Sequence, residues 1–251
     1  MQPGRILCGL IGGLFLCSSL ALAQTPPPAA AAPVPVYTGN FGGGFALTDG
    51  NSDTSNFNLT FSLIRDPKIR NVVKINALYL RGSENKVLSL DRSSLVFRDE
   101  FKLSGRTFLF GQIDNQHDRF EDISYLFAPV GGIGYKFLDS DATKLAVSSG
   151  AGGIWEKEKG LTLSQSGSIN AGQSLSRKLS STATFTESIG TLWKTNDFSD
   201  SFTNFSAGLT TSINEKLEVK VEFLDDYKNK PAIPGIKKND TALVIDFVLK
   251  Y

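Results

Sequence analysis

The single histidine of the chain, His117, is the residue with the most obvious catalytic potential. Asn115 and Ser124 lie close to it in the sequence. A serine hydrolase needs a hydroxyl beside an imidazole base, together with an amide or carboxylate that orients the ring. These three residue types are therefore compatible with a lipid hydrolase. A solvated histidine in a polar loop needs no such chemistry and is the simpler interpretation.

A second set of candidate functional residues consists of charged side chains that occur at every other position along predicted strands. Arg98, Glu100 and Lys102 show this spacing, and so do Glu218, Lys220 and Glu222. The complete set is Lys74, Arg98, Glu100, Lys102, Glu218, Lys220, Glu222, Asp246 and Lys250. Buried charges must be paired or hydrated. On the inner face of a barrel they would form either a salt-bridged network that fills the lumen or a narrow watery pore. Because selectivity normally uses rings of one sign, such a pore would have no strong ion preference.

Two short motifs resemble binding loops only in part. Asp49, Asn51 and Asp53 have the alternate spacing with which a calcium loop opens, but the distal bidentate glutamate is missing. A hairpin loop rich in Asp, Gly and Asn is the commoner explanation. Gly131-Gly-Ile-Gly134 is not followed by a helical pattern, as a phosphate-binding loop would be. Small residues that give room to lumen side chains are the better interpretation. We therefore expect no metal and no cofactor.

The first 36 residues are predicted to lie outside the folded domain. Residues 1–23 have the basic start, the apolar run and the Ala21-Leu-Ala23 end of a signal peptide. Both cysteines, Cys8 and Cys17, fall in this segment, so we expect no thiol chemistry in the mature protein. Residues 24–36 are rich in Pro and Ala and predict an extended periplasmic lead-in.

The composition of the mature chain favours a membrane barrel. Without Arg5 it has 25 basic and 25 acidic residues, so we expect no nucleic-acid partner. After residue 23 no apolar run is long enough for a membrane helix. Only helices and closed sheets satisfy the backbone in lipid.

Alternation of apolar and polar residues predicts that residues 37–251 form an all-β, antiparallel up-and-down barrel of about 12 strands. We expect short connections after the even-numbered strands and longer polar loops after the odd-numbered ones. The predicted loops include 115–122, 156–159, 196–200 and 225–239. The parity of the strand that contains Phe108 and Phe110 is not settled. Asp99 falls on the lipid-facing parity, which indicates either a site near the interface or a bulge.

The last strand resembles the C-terminal signal that barrel-assembly machinery reads in bacterial outer-membrane proteins. Its alternate residues are apolar and end on an aromatic ring: Leu243, Ile245, Phe247, Leu249 and Tyr251. The opposite face carries several charges and is too polar for a dry core. A soluble β-sandwich or soluble barrel is the alternative, although about twelve strands in one soluble sheet is a high number.

Three short motifs, in order, resemble the YdiY-like salt-induced outer-membrane proteins, an uncharacterised family. They are Gly43-Gly-Phe-Ala-Leu-Thr-Asp-Gly-Asn-Ser-Asp-Thr54, the segment from Asp118-Arg-Phe to Gly131-Gly-Ile-Gly-Tyr135, and Pro234-Gly-Ile-Lys-Lys-Asn-Asp240. The resemblance covers nearly all of residues 37–251. It implies an outer-membrane barrel and no established activity.

The sequence therefore predicts a protein of the bacterial outer membrane with both termini in the periplasm. We expect it to be a small diffusion channel or an envelope-structural, stress-related protein, and not an enzyme. A lipid hydrolase and a surface-loop receptor or adhesin are the alternatives. The expected partners are outer-membrane lipid and the barrel-assembly machinery. The strand count alone does not decide whether the lumen is filled or open, because twelve lies between filled and channel-forming barrels. No oligomeric state is predicted from the sequence.

Overall fold

Twelve antiparallel strands form a closed barrel in the computed structural model, which describes residues 36–49, 54–84, 87–119, 123–231, 235 and 237–250. The predicted signal peptide and all of the predicted lead-in except Val36 lie outside the described residues. The strands are β1 Tyr37–Asp49, β2 Thr54–Arg65, β3 Asn71–Glu84, β4 Val87–Lys102, β5 Thr107–Asp118, β6 Ile123–Asp139, β7 Thr143–Glu158, β8 Ser164–Lys178, β9 Ala183–Lys194, β10 Asp197–Ser212, β11 Leu217–Lys228 and β12 Asn239–Lys250. This confirms the predicted fold class and the predicted strand number.

The barrel closes where β1 pairs with β12, from Asn40 opposite Lys250 to Asp49 opposite Thr241. The two faces of β12 differ sharply in exposure. Phe247 is 60% exposed, whereas its neighbour Asp246 is 1% exposed. Apolar side chains therefore point outwards and polar ones inwards, the arrangement of a barrel with lipid outside. Among the described residues there is no helix long and apolar enough to cross a membrane.

The connections define the two ends of the barrel. The turn end carries residues 66–70, 103–106, 140–142, 179–182 and 213–216, together with the first residue of β1 and the last residue of β12. The loop end carries the other six connections, which have two to ten residues. Only 229–238 is clearly longer than the turns, so the prediction of generally longer loops at this end was wrong.

The predicted loops are shorter because the strands continue through them. β5 runs on to Asp118, β7 to Glu158 and β11 to Lys228, while β10 already begins at Asp197. Residues 115–118, 156–158 and 225–228 remain in the hydrogen-bonded ladders. On β10 the register shifts between Asp197 and Ser201, so this extension is irregular. The polar composition of these segments predicts loops, and that prediction was wrong. In a barrel a polar strand is stable where its side chains contact one another in the lumen.

Asp99 keeps its outward parity. Its register neighbours are Val73 and Gly111, and the ladders run past it without a bulge. It lies three residues before the end of β4 and accepts hydrogen bonds at 3.2 and 3.4 Å from the side-chain amide of Asn71. A carboxylate costs little at the edge of a membrane, so the interface explanation holds and the bulge explanation does not.

The parity of β5 is decided by glycines on β6. Phe108 and Phe110 are both 4% exposed and point into the lumen. They lie opposite Gly134 and Gly132 in the register. A Cβ atom at Gly134 would fall within the Phe108 ring, and one at Gly132 would lie 2.8 Å from the Phe110 ring. The glycine motif thus provides the space that the two lumen rings fill, as the sequence had indicated.

Candidate functional site

The lumen has two zones that differ in hydration. Near the turn end, charged side chains along the wall are partly exposed: Lys74 is 36% and Lys250 is 35% exposed. Near the loop end, Glu156, Lys228 and Lys194 are 3%, 5% and 7% exposed. We call the first zone the vestibule and the second zone the plug. The charged side chains of the vestibule are thus partly accessible to solvent, whereas those at the centre of the plug are almost fully buried.

In the vestibule, ion pairs form along one strand or between adjacent strands. Glu100 accepts hydrogen bonds from Lys74 at 2.8 Å and from Arg98 at 2.9 Å. The other vestibule pairs are Lys220 with Glu222 at 2.7 Å, Lys250 with Glu218 at 3.0 Å and Lys102 with Asp66 at 3.1 Å. These pairs line the wall and do not cross the lumen.

The remaining predicted lumen charge, Asp246, is buried on β12. Asn58 donates to Oδ1 of Asp246, and Thr60 donates to Oδ2 at 3.0 Å. Both donors lie on β2, on the far side of β1, where Gly42 and Gly44 occupy the inner face. A Cβ atom at Gly42 would lie 3.4 Å from the Asp246 side chain. The glycines of β1 therefore allow this contact to form across a whole strand.

Opposite the charged wall of the vestibule, small polar residues leave open space. Ser174 on β8 and Ser188 on β9 point inwards and are exposed. The hydroxyls of Ser188 and Ser206 lie 2.9 Å apart on adjacent strands. This wall of the vestibule therefore carries short side chains, which occupy less of the lumen than the long charged ones opposite.

At the mouth of the vestibule, Asp66 lies in a turn outside the strands. Its carboxylate accepts hydrogen bonds from the Lys68 backbone and side chain, each at 2.9 Å, and from Lys102 at 3.1 Å. Burial alone would raise the pKa of Asp66. The hydrogen bonds and the charge of Lys102 outweigh that effect and lower the pKa from 3.8 to about 2.

The plug consists of ion pairs that cross the lumen. Glu156 on β7 accepts hydrogen bonds from Lys194 on β9 at 2.6 Å and from Lys228 on β11 at 2.7 Å. Lys228 also pairs with Glu158, and Lys194 pairs with Asp200 at 2.6 Å. Since β7 and β11 are four positions apart in the closed sheet, these bonds join opposite parts of the wall.

A second bridge lies beside the first. Arg92 on β4 pairs with Asp226 on β11, and its Nε lies 4.0 Å from a carboxylate oxygen of Asp118 on β5. β4 and β11 are at least five positions apart in the sheet. Asn204 adds a hydrogen bond to Asp226 at 2.6 Å. β11 thus supplies both the cation and the anion that tie it to the far wall.

Apolar side chains pack around the ion pairs. The Phe202 ring lies 4.9 Å from the ammonium of Lys228 and 5.6 Å from that of Lys194, both within cation–π range. Phe202 belongs to a buried cluster with Ile123, Leu126, Ala128 and Ile154. Apolar surroundings keep water away from the charges, and an apolar constriction resists wetting in its own right. The plug therefore closes the lumen with side chains alone.

Most of the plug was missed in the sequence because it was assigned to loops. Glu156, Glu158, Asp200, Asp226 and Lys228 all fall in segments predicted to be irregular. One signal was present: Glu218, Lys220 and Glu222 share their parity with Asp226 and Lys228. Ile123 could not be found this way, because register shifts on both sides of β6 at this point turn it inwards.

The structure does not assemble the catalytic group that was considered for His117. The imidazole Nδ1 lies 3.0 Å from the backbone carbonyl oxygen of Ser124, so it must carry the proton and donate. The contact between the two residues therefore involves the backbone of Ser124 and not the hydroxyl that a general base would have to deprotonate, and it leaves the imidazole Nε2 as the basic nitrogen. In the part of the chain that is described, no three His, Cys, Asp or Glu side chains are grouped to hold a metal ion. The side chains of the Asp49, Asn51 and Asp53 motif lie outside the described residues.

The predicted assembly signal lies along the outer face of β12. Leu243, Phe247 and Leu249 are 37%, 60% and 55% exposed, and Ile245 is half-buried. Tyr251 lies outside the described residues. Recognition of this row by assembly machinery stays a prediction.

A closed antiparallel barrel with an apolar outer face and a charged lumen is an outer-membrane type of protein. Within that class, the chain belongs to a family described as "Protein of unknown function, DUF481", whose model matches residues 42–251. This confirms the resemblance seen in the sequence. No curated protein sequence matches the chain significantly.

Solved structures of outer-membrane barrels share the fold. The NanC porin superposes with a TM-score of 0.54 at 10% identity, over 84% of this chain and 98% of that chain. The COG4313 outer membrane channel from Pseudomonas putida F1 gives 0.53 at 12% identity, over 90% and 100%. The translocator domain of autotransporter NalP from Neisseria meningitidis gives 0.51 at 12% identity, over 88% and 90%. At these identities the likeness concerns the fold alone.

Proposed function

We propose that this protein is a small diffusion channel of the outer membrane that rests in a closed state. The observation that carries the proposal is the division of the lumen into a hydrated, polar vestibule and a dry plug made only of side chains. A barrel whose lumen was purely structural would have no need of a hydrated half. Side chains can rearrange within an intact barrel, so the plug is a closure that can open.

The cargo class follows from the vestibule. Its charges are of both signs and are already paired along the wall, while the opposite wall presents hydroxyls. Such a lining favours small hydrated solutes of either charge over large or apolar ones, because selective channels use rings of a single sign. The folds of the NanC porin and the COG4313 channel are compatible with conduction through a barrel of this kind.

The test is planar-bilayer conductance of residues 24–251 refolded in detergent, with heat-dependent gel migration as the check that the barrel has formed. We expect brief, reproducible openings separated by long closed periods. Neutralising Lys220 by Lys220→Gln should shift the preference towards cations, and Glu222→Gln should shift it towards anions. A matched control is Lys157→Gln, which removes a positive charge from an exposed position at the loop end.

Folded protein that never conducts, even when the plug is weakened by Glu156→Ala, would refute the proposal. An envelope-structural role would then account best for a filled barrel. A lipid hydrolase has less support, because the contact of His117 with Ser124 is to the backbone carbonyl and not to the serine hydroxyl. We place the termini and the turn end on the periplasmic side, as in the sequence prediction. Protease cleavage of the 24–36 segment in intact cells, compared with permeabilised cells, would test that placement.

A further inference from the structure

An exposed aliphatic side chain lies in or next to every turn at the turn end. Ile69, Leu103, Leu179 and Ile213 lie in four of the turns and are 70%, 52%, 57% and 58% exposed. Leu138, near the end of β6 and two residues before the third turn, is 50% exposed. A surface turn in water favours polar residues, although single exposed apolar side chains are normal. Here the exposure recurs at all five turns, which lie at one level of a closed barrel. We call these five residues the aliphatic ring.

An exposed basic side chain also lies in or beside each of the same turns. Lys68 and Arg70 flank Ile69 directly, and Lys178 precedes Leu179. The remaining turns contribute Arg106, Lys144 and Lys216. A basic head beside an aliphatic side chain is the arrangement of a surface that lies at the headgroup level of a bilayer.

The charge balance distinguishes this end from the other. Within two residues of the five turns there are nine basic and five acidic residues. Within two residues of the six loop-end connections there are nine of each sign. The excess of positive charge is therefore confined to the end that carries the aliphatic ring. Its complement is an anionic surface with an apolar layer directly beneath it.

We propose that the turn end binds anionic phospholipid, with the aliphatic ring inserted among the acyl chains and the basic side chains on the phosphates. Basic residues near an anionic leaflet contribute about 1 kcal/mol each. This site lies on the outside of the barrel and does not depend on conduction. It also agrees with a periplasmic turn end, because that leaflet is the one made of phospholipid.

The experiment places a fluorescent tryptophan in the aliphatic ring. Leu179→Trp is made in a protein whose Trp155 and Trp193 are replaced by Phe, and the barrel is refolded into phosphatidylethanolamine vesicles. Bromine-labelled phosphatidylglycerol or bromine-labelled phosphatidylethanolamine is added at the same mole fraction. We expect about fivefold preferential association of the anionic lipid, which corresponds to about 1 kcal/mol for one basic contact. The preference should fall as salt is raised.

Two matched variants decide the cause. Replacing Arg106, Lys144, Lys178 and Lys216 by Gln removes one charge from each of four turns and should abolish the preference. Replacing Lys157, Lys159, Lys237 and Lys238 by Gln removes the same charge at the loop end and should leave it unchanged. Equal quenching by both lipids, or a preference that survives the turn-end substitutions, would overturn the proposal. No quenching by either lipid would place the turns in water and overturn it as well, which would leave an acidic macromolecule as the ligand class.

Discussion

Removing the carboxylate at the centre of the plug by Glu156→Ala should open the channel. Glu156 is 3% exposed and forms one ion pair with each of two buried lysines. Breaking a buried ion pair by removing one partner costs about 3–5 kcal/mol. Each lysine keeps a second carboxylate, Asp200 for Lys194 and Glu158 for Lys228, so we take the lower limit of about 3 kcal/mol.

We expect this loss to raise the free energy of the closed state relative to the open state. The barrel itself should remain folded, because its backbone ladders do not depend on Glu156. A change of about 3 kcal/mol shifts the ratio of closed to open channels by a factor of about 150. Single-channel recording in planar bilayers measures this ratio directly. Glu222→Ala is the control, since it removes a carboxylate from the wall of the vestibule and leaves the plug intact. Its open probability should stay at the level of the unmodified protein.

A change of open probability below about threefold in Glu156→Ala, with the barrel folded, would refute the reasoning, since threefold corresponds to under 1 kcal/mol. A lower melting temperature without openings would mean that the plug stabilises the barrel and does not gate it. A plug whose central ion cluster is neutral provides the converse test. Replacing Glu156 by Leu, Lys194 and Lys228 by Met, Asp200 by Asn and Glu158 by Gln leaves none of these charges unpaired. This variant should restore closure, because well-packed apolar residues replace a buried ion cluster at little or no cost.

Three further predictions concern the fold. Gly134→Ala forces a methyl group into the Phe108 ring and should lower the free energy of unfolding in urea by about 1–3 kcal/mol; Gly111→Ala, where a Cβ meets nothing within 4 Å, is the control. Ile245→Lys places a charge on the lipid face near the middle of β12 and should cost about 2–4 kcal/mol, seen as a loss of folded yield on a gel. Asp66→Asn should lower the melting temperature at pH 7 but not at pH 2: the pKa of Asp66 is depressed to about 2, so its contribution is present above the pKa of the unfolded chain and is lost as pH falls through about 2. Equal effects at both pH values would contradict that assignment.

The sequence predicted the barrel because the apolar face of each strand repeats without interruption. On β12, the row from Leu243 to Leu249 determines both the strand and the side that meets lipid, since a shift of one residue would bury Phe247 and expose Asp246. The same alternation along β11 predicts that Lys220 and Glu222 lie on the inner face. Local periodicity is sufficient for these features, because each depends only on neighbours along the strand.

The plug could not be predicted in the same way, because its contacts depend on which strands face one another across the lumen. Nothing in the spacing of Arg92 and Asp226 indicates that they meet, since they are 134 residues apart in the sequence. That contact exists only once twelve strands have closed in order. The parity of Phe108 had a similar origin, since it depends on a glycine of the neighbouring strand.

The centre of the plug is made of ion pairs and not only of apolar contacts, and this bears on how the lumen could open. A barrel of twelve strands lies between those that are filled by side chains and those that leave a channel. At this width Glu156 and Lys228, on strands four positions apart, can still meet at 2.7 Å. Leucine and methionine would close the same space at equal or lower cost, so stability does not explain the charges. Water can instead replace the ion-pair partner of a charged side chain, and the partly exposed vestibule lies directly beside the plug. In the proposed channel, water that enters from the vestibule would replace the partners of these charges, and this exchange is how the closure would open.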